Sequence, residues 1–339
     1  MSTHSTARPT IPSTREVVVT GIGLALPGAA TYGDLLGPLP GAGGFDPASA
    51  LGGRELRHKD RASRLALRAA GSALHNAGLT DPYGDGAFMG VADSTAVVVS
   101  TNLGNADSIC AATDTIAAQG VRGLSPLGLP QTSSNVITGW VAIRYRLRGP
   151  NLTLCNGVTS GLDALAWARN LIVAGRAETA VVVGVEPANA VTAKLLGEQS
   201  TDAAVAIVLE PAHAAASRGA RPRATLTGYA RARDLATALT RAGATEQGSV
   251  GLWLGTEAEA GAGRLLAAPR RIDLEAQLGP LSGALGVLQC AAAAAHFESG
   301  ATGNVLATAG GPHHDAAAAL LLTPPPTRPR PSTQEPRNP

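Results

Sequence analysis

Short runs of β-branched and aliphatic residues alternate with alanine-rich stretches from residue 16 to residue 322, and no other feature constrains the fold as tightly. EVVVTGIGLAL (16–26) reads as a buried strand running into a glycine-rich turn. DRASRLALRAAGSALHNAGL (60–79) has apolar residues at 62, 65, 66, 69, 70, 73, 74 and 77, the spacing of one helix face, with Gly78 as C-cap. TAVVVST (95–101) predicts a strand and ADSICAATDTIAAQG (106–120) a helix closed by glycine. The alternation continues through SSNVITGWVAIRYRL (133–147), the strand NLTLC (151–155), the helix SGLDALAWARNLIVAG (160–175) and the strands TAVVVGVEP (179–187) and DAAVAIVLEP (202–211). A poorly patterned stretch follows. Then come GSVGLWLG (248–255), the helix SGALGVLQCAAAAAHF (282–297) and the strands NVLATAGG (304–311) and AAAALLL (316–322). Such alternation predicts an α/β fold with helices covering its sheets, and no solenoid repeat interrupts it.

Composition bounds the function. The chain has 339 residues, 45% hydrophobic and 15% charged, too apolar for a disordered protein and long enough for a large core. A formal net charge of +2 gives none of the basic surplus of nucleic-acid binders. No apolar run reaches the ~18 residues of a membrane span, and MSTHSTARPTIPSTRE carries no apolar signal region. Cys110, Cys155 and Cys290, odd in number and widely spaced, predict a reducing compartment, so a soluble cytoplasmic protein is expected. Only Lys59 and Lys194 among the 27 basic residues are lysine, the mark of a GC-rich genome. With aromatics at 3%, the core must be filled by Ala, Val, Leu and Ile. Residues 1–14 read as a flexible arm. Seven of the last 17 residues (323–339) are proline, which predicts a disordered tail.

Several segments, in order and at matching spacing, resemble the β-ketoacyl synthases of fatty-acid and polyketide assembly. VVVTGIG (17–23) is similar to the family's first strand, and Lys59-Asp60-Arg61 with its helix to a basic-Asp-Arg signature. WVAIRYRLRGPNLTL (140–154), SGLDALAWARNLIVAGRAETAVVVGVE (160–186), DAAVAIVLE (202–210) and LGPLSGALGVLQ (278–289) complete the likeness. It covers residues 16–211 well and 248–322 loosely. The resemblance implies a thiolase-like, five-layered αβαβα fold with two pseudo-duplicated halves, 15–215 and a shortened 216–322. It also implies chemistry: a cysteine at a helix N-terminus takes the acyl chain as thioester, and two histidines support decarboxylation and the oxyanion.

Carried over residue by residue, that chemistry is missing. Aligned on RGPN and SGLDAL, the cysteine position falls on Val158. The first histidine, before Gly255-Thr256, falls on Leu254, and the second, between Gly279 and Gly283, on Pro280. The family's lysine maps to Glu275. Gly310-Gly311 keeps the last loop, but Thr308-Ala309 replaces the aromatic before it. A kept scaffold with a lost catalytic set resembles the chain length factors of type II polyketide synthases, although Val158 stands where that class often has glutamine. This implies a partner, the catalytic ketosynthase chain, bound through NLTLC and helix 133–147, with an acyl carrier protein docking on the pair. No cofactor is expected.

The same resemblance makes helix 106–120 a wall of the acyl tunnel, with Ala106, Ile109, Cys110 and Thr113 facing it. None is aromatic, so an open tunnel suited to a long unbranched chain is expected; the alternative is an ordinary amphipathic core helix. Cys155, three residues before the elbow, is an alternative nucleophile, set against the commoner buried structural thiol. Cys110 and Cys290 read as packing residues, Thr159 and Ser160 as helix caps. An acyltransferase using Cys155 or Ser160 with His313 or His314 stays open, as does a degenerate acyl-binding homolog without a partner. No His/Cys/Asp spacing fits a metal site.

Overall fold

The structure, a computed structural model, describes residues 16–39, 56, 58–81, 86–245, 250–256 and 270–326. The arm 1–14 and the tail from 327 onward lie outside the described residues. In chain order the first half contains β1 (Val17–Ala25), α1 (Arg61–Asn76), β2 (Thr95–Ser100), α2 (Ala106–Gln119), α3 (Val136–Tyr145) and β3 (Asn151–Leu154). It continues with α4 (Ser160–Val173), β4 (Thr179–Glu186), α5 (Ala190–Leu196) and β5 (Ala203–Pro211). The second comprises α6 (Ala212–Ser217), β6 (Ala224–Ala232), α7 (Leu235–Arg241), β7 (Val250–Leu254), β8 (Arg270–Ile272), α8 (Glu275–Leu278), α9 (Leu285–Glu298), β9 (Asn304–Ala309) and β10 (Ala317–Thr323). β10 takes in Thr323, the first residue of the expected tail.

The described strands run in the order β3-β2-β4-β5-β1-β6-β10-β9-β7-β8. Cut between β1 and β6, this order is one pattern used twice. β2 is parallel to β3 and β4, and β4 and β1 are antiparallel to β5. In the same way β7 is parallel to β8 and β9, and β9 and β6 are antiparallel to β10. Three antiparallel pairs, Val17↔Leu226, Val18↔Thr225 and Val19↔Ala224, stitch the repeats together.

Strand alternation sorts side chains into layers. Val97, Val99, Val181, Val183, Ala204 and Ala206 face the outer core beneath α1 and α3. Their neighbours Ala96, Val98, Ala180, Val182, Val205 and Ile207 face the central core around α4 and α9. From the other side Leu252, Leu254, Val305, Ala307 and Leu320 close on that same core. Trp253, Leu306, Ala317 and Ala319 look out to α7. The order is therefore helix, sheet, helix, sheet, helix, built as expected on Ala, Val, Leu and Ile.

Glycines permit two close approaches. A Cβ at Gly21 or Gly23 would lie 2.3 or 2.2 Å from the Ala73 or Ala69 carbonyl oxygen of α1, so β1 and α1 touch backbone to backbone. In the central layer a Cβ at Gly161 would meet the Gly286 nitrogen at 2.6 Å, and one at Gly286 the Leu162 nitrogen at 2.3 Å. Helices α4 and α9 thus meet at their first turns. That meeting point carries the site.

The second half is trimmed where the first is elaborate. Residues 101–150, with α2 and α3, join the second and third strands of the first repeat; residues 255–269 make the same connection in the second. The poorly patterned stretch after 211 folds into α6, β6 and α7. Strand β6 escapes sequence pattern because it is buried only in part, with Thr227, Gly228 and Tyr229 half-buried and Arg231 exposed.

Candidate functional site

Strand β3 ends in an elbow. Gly157 takes a left-handed conformation (φ 77°), which only glycine adopts without strain, and the turn Gly157–Thr159 runs straight into α4. Val158 stands half-buried at that elbow, where an apolar side chain offers neither nucleophile nor proton. The hydroxyls beside it do not cap the helix. Thr159 is already in helical backbone (φ −81°, ψ −11°), so its side chain cannot face the free N–H groups. It donates instead to Asp163 Oδ2 at 2.9 Å. Ser160 Oγ accepts from the Asn156 amide nitrogen (2.6 Å) and donates to Asn102 Oδ1 (3.1 Å).

Asp163, buried in the first turn of α4, also accepts from Asn156 Nδ2 (3.0 Å) and from the Tyr229 hydroxyl. Arg231 Nε donates to Thr159 Oγ1 (3.2 Å) and lies 3.7 Å from Asp163. Burial, with the bond to Asp163 added, pushes the Tyr229 hydroxyl well above the ordinary tyrosine range, so it stays a donor. Two side chains from β6 thereby complete a network begun in the first half.

The positions expected to match histidines, Leu254 and Pro280, both lie in the second half. Leu254 is buried at the end of β7, and its carbonyl accepts from Gln289 Nε2 (3.1 Å), which also donates to the Thr308 carbonyl (2.8 Å). Trp253 Nε1 donates to Thr308 Oγ1 (2.8 Å). Pro280 is half-buried in the turn between α8 and α9. Glu275, expected at the family's lysine position, accepts from the Leu281 amide (2.9 Å) and so braces that turn; burial raises its carboxyl. His313 and His314 are exposed between β9 and β10. Among the described residues no histidine or lysine hydrogen-bonds to Ser160 or Cys155, so neither has the base a hydroxyl or thiol nucleophile requires.

The cysteines divide. Cys290 is fully buried and its thiol is pushed up to about 12 by burial, in keeping with a packing residue. Cys110 is exposed, which corrects its reading as a packing residue. Cys155 is exposed at the end of β3 rather than buried; the desolvating chain beneath it and the Glu186 carboxylate both raise its thiol, the wrong direction for a nucleophile.

Two residues without a sequence signal organise the site. Glu186, 2% exposed at the end of β4, accepts from the amides of Asn102, Leu103 (3.1 Å) and Gly283 (3.2 Å) and from Thr101 Oγ1 (3.4 Å). Burial nonetheless holds its carboxyl up at about 7. Asn102 joins the elbow to Ser282. Only the unexpected acid ending the apolar run VVVGVE could have pointed here.

Helix α2 has no buried residue in the chain described. Ile109, Cys110 and Thr113 are exposed and Ala106 half-buried, a single face at roughly 100° per residue. On the opposite face Ser108, Ala111, Ala112 and Thr115 line a groove of about 320 Å³ against Leu124, Leu129 and their neighbours. None of the four expected tunnel residues lines it. Among the described residues no group of three His, Cys, Asp or Glu could hold a metal ion, and no helix is long and apolar enough to cross a membrane.

This doubled sheet, with its helix-start elbow in the central layer, defines a thiolase-like ketosynthase fold. A solved type II PKS acyl-carrier protein in complex with its ketosynthase bound to the hexaketide superposes over 91% of this chain and 99% of that one (TM-score 0.75, 18% identity), which shows the fold. The ishigamide ketosynthase/chain length factor matches over the same shares with TM-score 0.70 and 25% identity. The family description "Beta-ketoacyl synthase, N-terminal domain" matches residues 30–203, and the chain belongs to that family. Among its relatives, the 3-oxoacyl-[acyl-carrier-protein] synthase 2 of Vibrio harveyi is 30% identical over 43% of this chain and 34% of that protein. The granaticin polyketide putative beta-ketoacyl synthase 1 of Streptomyces violaceoruber is 29% identical over 50% and 47%. The chain thus spans about a third to a half of the curated relatives it matches.

Proposed function

We propose that this chain is a non-condensing chain length factor, which pairs with a catalytic ketosynthase and shapes the tunnel in which a polyketide grows. The observation that carries the reading is Val158: the elbow, the helix and the glycine contact are kept, and the group that would form the thioester is not. Leu254 and Pro280 at the histidine positions agree with it, and the neighbouring hydroxyls are engaged in bonds without a base. The likeness to an ishigamide ketosynthase/chain length factor supports the same role.

On this reading the partner sits along β3. Among the described strands it is bonded on one side only, to β2, and Ile143 and Trp167, on helices adjoining it, are 67% and 52% exposed. Apolar area of this kind beside an open strand edge favours burial against another chain. An acyl carrier protein would dock on the pair and deliver the acyl chain past Ala106, Ile109, Cys110 and Thr113. Residues 15–215 and 216–322 would be its two halves.

The test is co-expression with a ketosynthase chain that keeps its cysteine and histidines, followed by co-purification and product mass analysis. A stable one-to-one complex is expected, with shorter products when Ile109→Phe or Thr113→Trp is introduced. A monodisperse protein that ignores the ketosynthase, or unchanged product lengths, would overturn the respective half of the proposal.

A further inference from the structure

Helix α2 poses a mechanical question: it has no buried residue and no side-chain cap from Asn105. Besides its packing on α5 and on residues 121–132, it is held by the loop leading into it. Glu186 takes the amides of Asn102 and Leu103, Thr101 Oγ1 takes that of Gly104 (3.0 Å), and Asn105 Nδ2 donates to the Thr132 carbonyl (3.1 Å). Within this loop the Asn102 carboxamide is fully used. Its Oδ1 accepts from the Gly157 amide (3.1 Å) and Ser160 Oγ (3.1 Å), and its Nδ2 donates to the Gly157 carbonyl (2.9 Å) and Ser282 Oγ (2.8 Å). Ser282 holds a left-handed conformation (φ 45°) that a serine adopts at a cost, so its turn is also held from outside. Glu186 holds the other side of that turn through Gly283.

We propose that Asn102, seated on Glu186, is a positioning residue. It clasps the elbow to the 280–283 turn and both to the loop that feeds α2, and so fixes α2 at a set distance from the elbow. Hydrogen bonds between segments far apart in sequence suit this role, because each is directional and loses its partner if the segments shift. The consequence for product length rests on the reading of α2 as a tunnel wall; the clasp itself does not.

The experiment compares the full chain with Asn102→Ala and Ser282→Gly, the latter removing one bond at a position where glycine relieves the backbone. Amide hydrogen exchange is followed by mass spectrometry, alone and in complex with a ketosynthase. Exchange across 103–119 should rise roughly tenfold or more in Asn102→Ala, less in Ser282→Gly, with β2, β4 and α4 unchanged. Asn102→Asp, which keeps the acceptor half of the clasp, should fall between the wild type and Asn102→Ala. Unchanged exchange in α2, or a rise spread evenly over the first half in both variants, would overturn the proposal. In the complex the product lengths should spread over more than one chain length. A loosened α2 with unaltered products would leave the clasp standing and remove α2 from the chain-length account.

Discussion

The two halves of the molecule repeat one strand order, yet they keep different things. The first retains long connections, an elbow at the start of α4 and the loop that feeds α2. The second retains the matching helix start at α9, but its connection between β7 and β8 is cut to residues 255–269. Where they meet, each contributes a glycine, Gly161 and Gly286, and the two backbones touch there. Backbone contact between the halves is therefore a packing requirement of its own, whatever side chain stands at the elbow.

The largest effect should come from breaking that contact. Gly286→Leu would drive a side chain into the Leu162 backbone nitrogen, an overpacking of more than ~3 kcal/mol, and should leave no soluble folded protein. Gly161→Leu should do the same. A mild effect at one glycine and a severe one at the other would show that the halves are not equivalent there.

Glu186 comes next. Its carboxyl is raised by burial to about 7 in the folded chain against 4.5 for an ordinary glutamate, so the folded state holds its proton more tightly. The sign follows: this contribution is full below about pH 4.5 and is lost as pH rises through 7, on the order of 3 kcal/mol in all. Urea unfolding from pH 5 to pH 8 should show that loss in the wild type relative to Glu186→Gln, whose side chain does not titrate. Parallel pH profiles would refute it.

A smaller effect should follow at the bridge from β6 to α4. Tyr229→Phe removes one of three donors to buried Asp163 and should cost about 1–2 kcal/mol, measured as a lowered urea midpoint with unchanged m. No effect would mean that the Tyr229 bond adds nothing to the hold between the two halves. The smallest is expected at the rim of the first half, where Asp93 and Arg148 pair in open solvent. Asp93→Ala should leave Tm unchanged within error.

Sequence carried the layered architecture because burial is periodic. VVVGVE and AAVAIVLEP alternate between two cores, so the strands announce themselves, and the helices between them follow. It carried the position of the elbow too, since RGPN and SGLDAL bracket Gly157–Thr159 within a few residues. It did not carry β6, whose identity as a strand depends on pairing with β1 and β10 rather than on its own pattern. Nor did it carry the clasp. Asn102 meets Glu186, Gly157 and Ser282 at separations of 84, 55 and 180 residues, and nothing local to an asparagine marks such partners. The exposure of Cys110 and Cys155 was hidden for a related reason: an apolar neighbourhood in sequence is not a covered one in space.

The three-residue seam between β1 and β6 has a wider consequence. Each repeat taken alone would leave its first strand with a bare flank, and the seam uses up both at once. Among the described strands the open flanks that remain are β3 and β8, at opposite ends. These are unlike: β8 presents the exposed arginines Arg270 and Arg271, which discourage strand addition, whereas β3 reads Asn-Leu-Thr-Leu and carries no charge. A ribbon guarded at one end and uncharged at the other offers strand addition at one flank only. The seam and the two arginines thus divide the labour: one uses up the inner flanks, the other discourages strand addition at the far end.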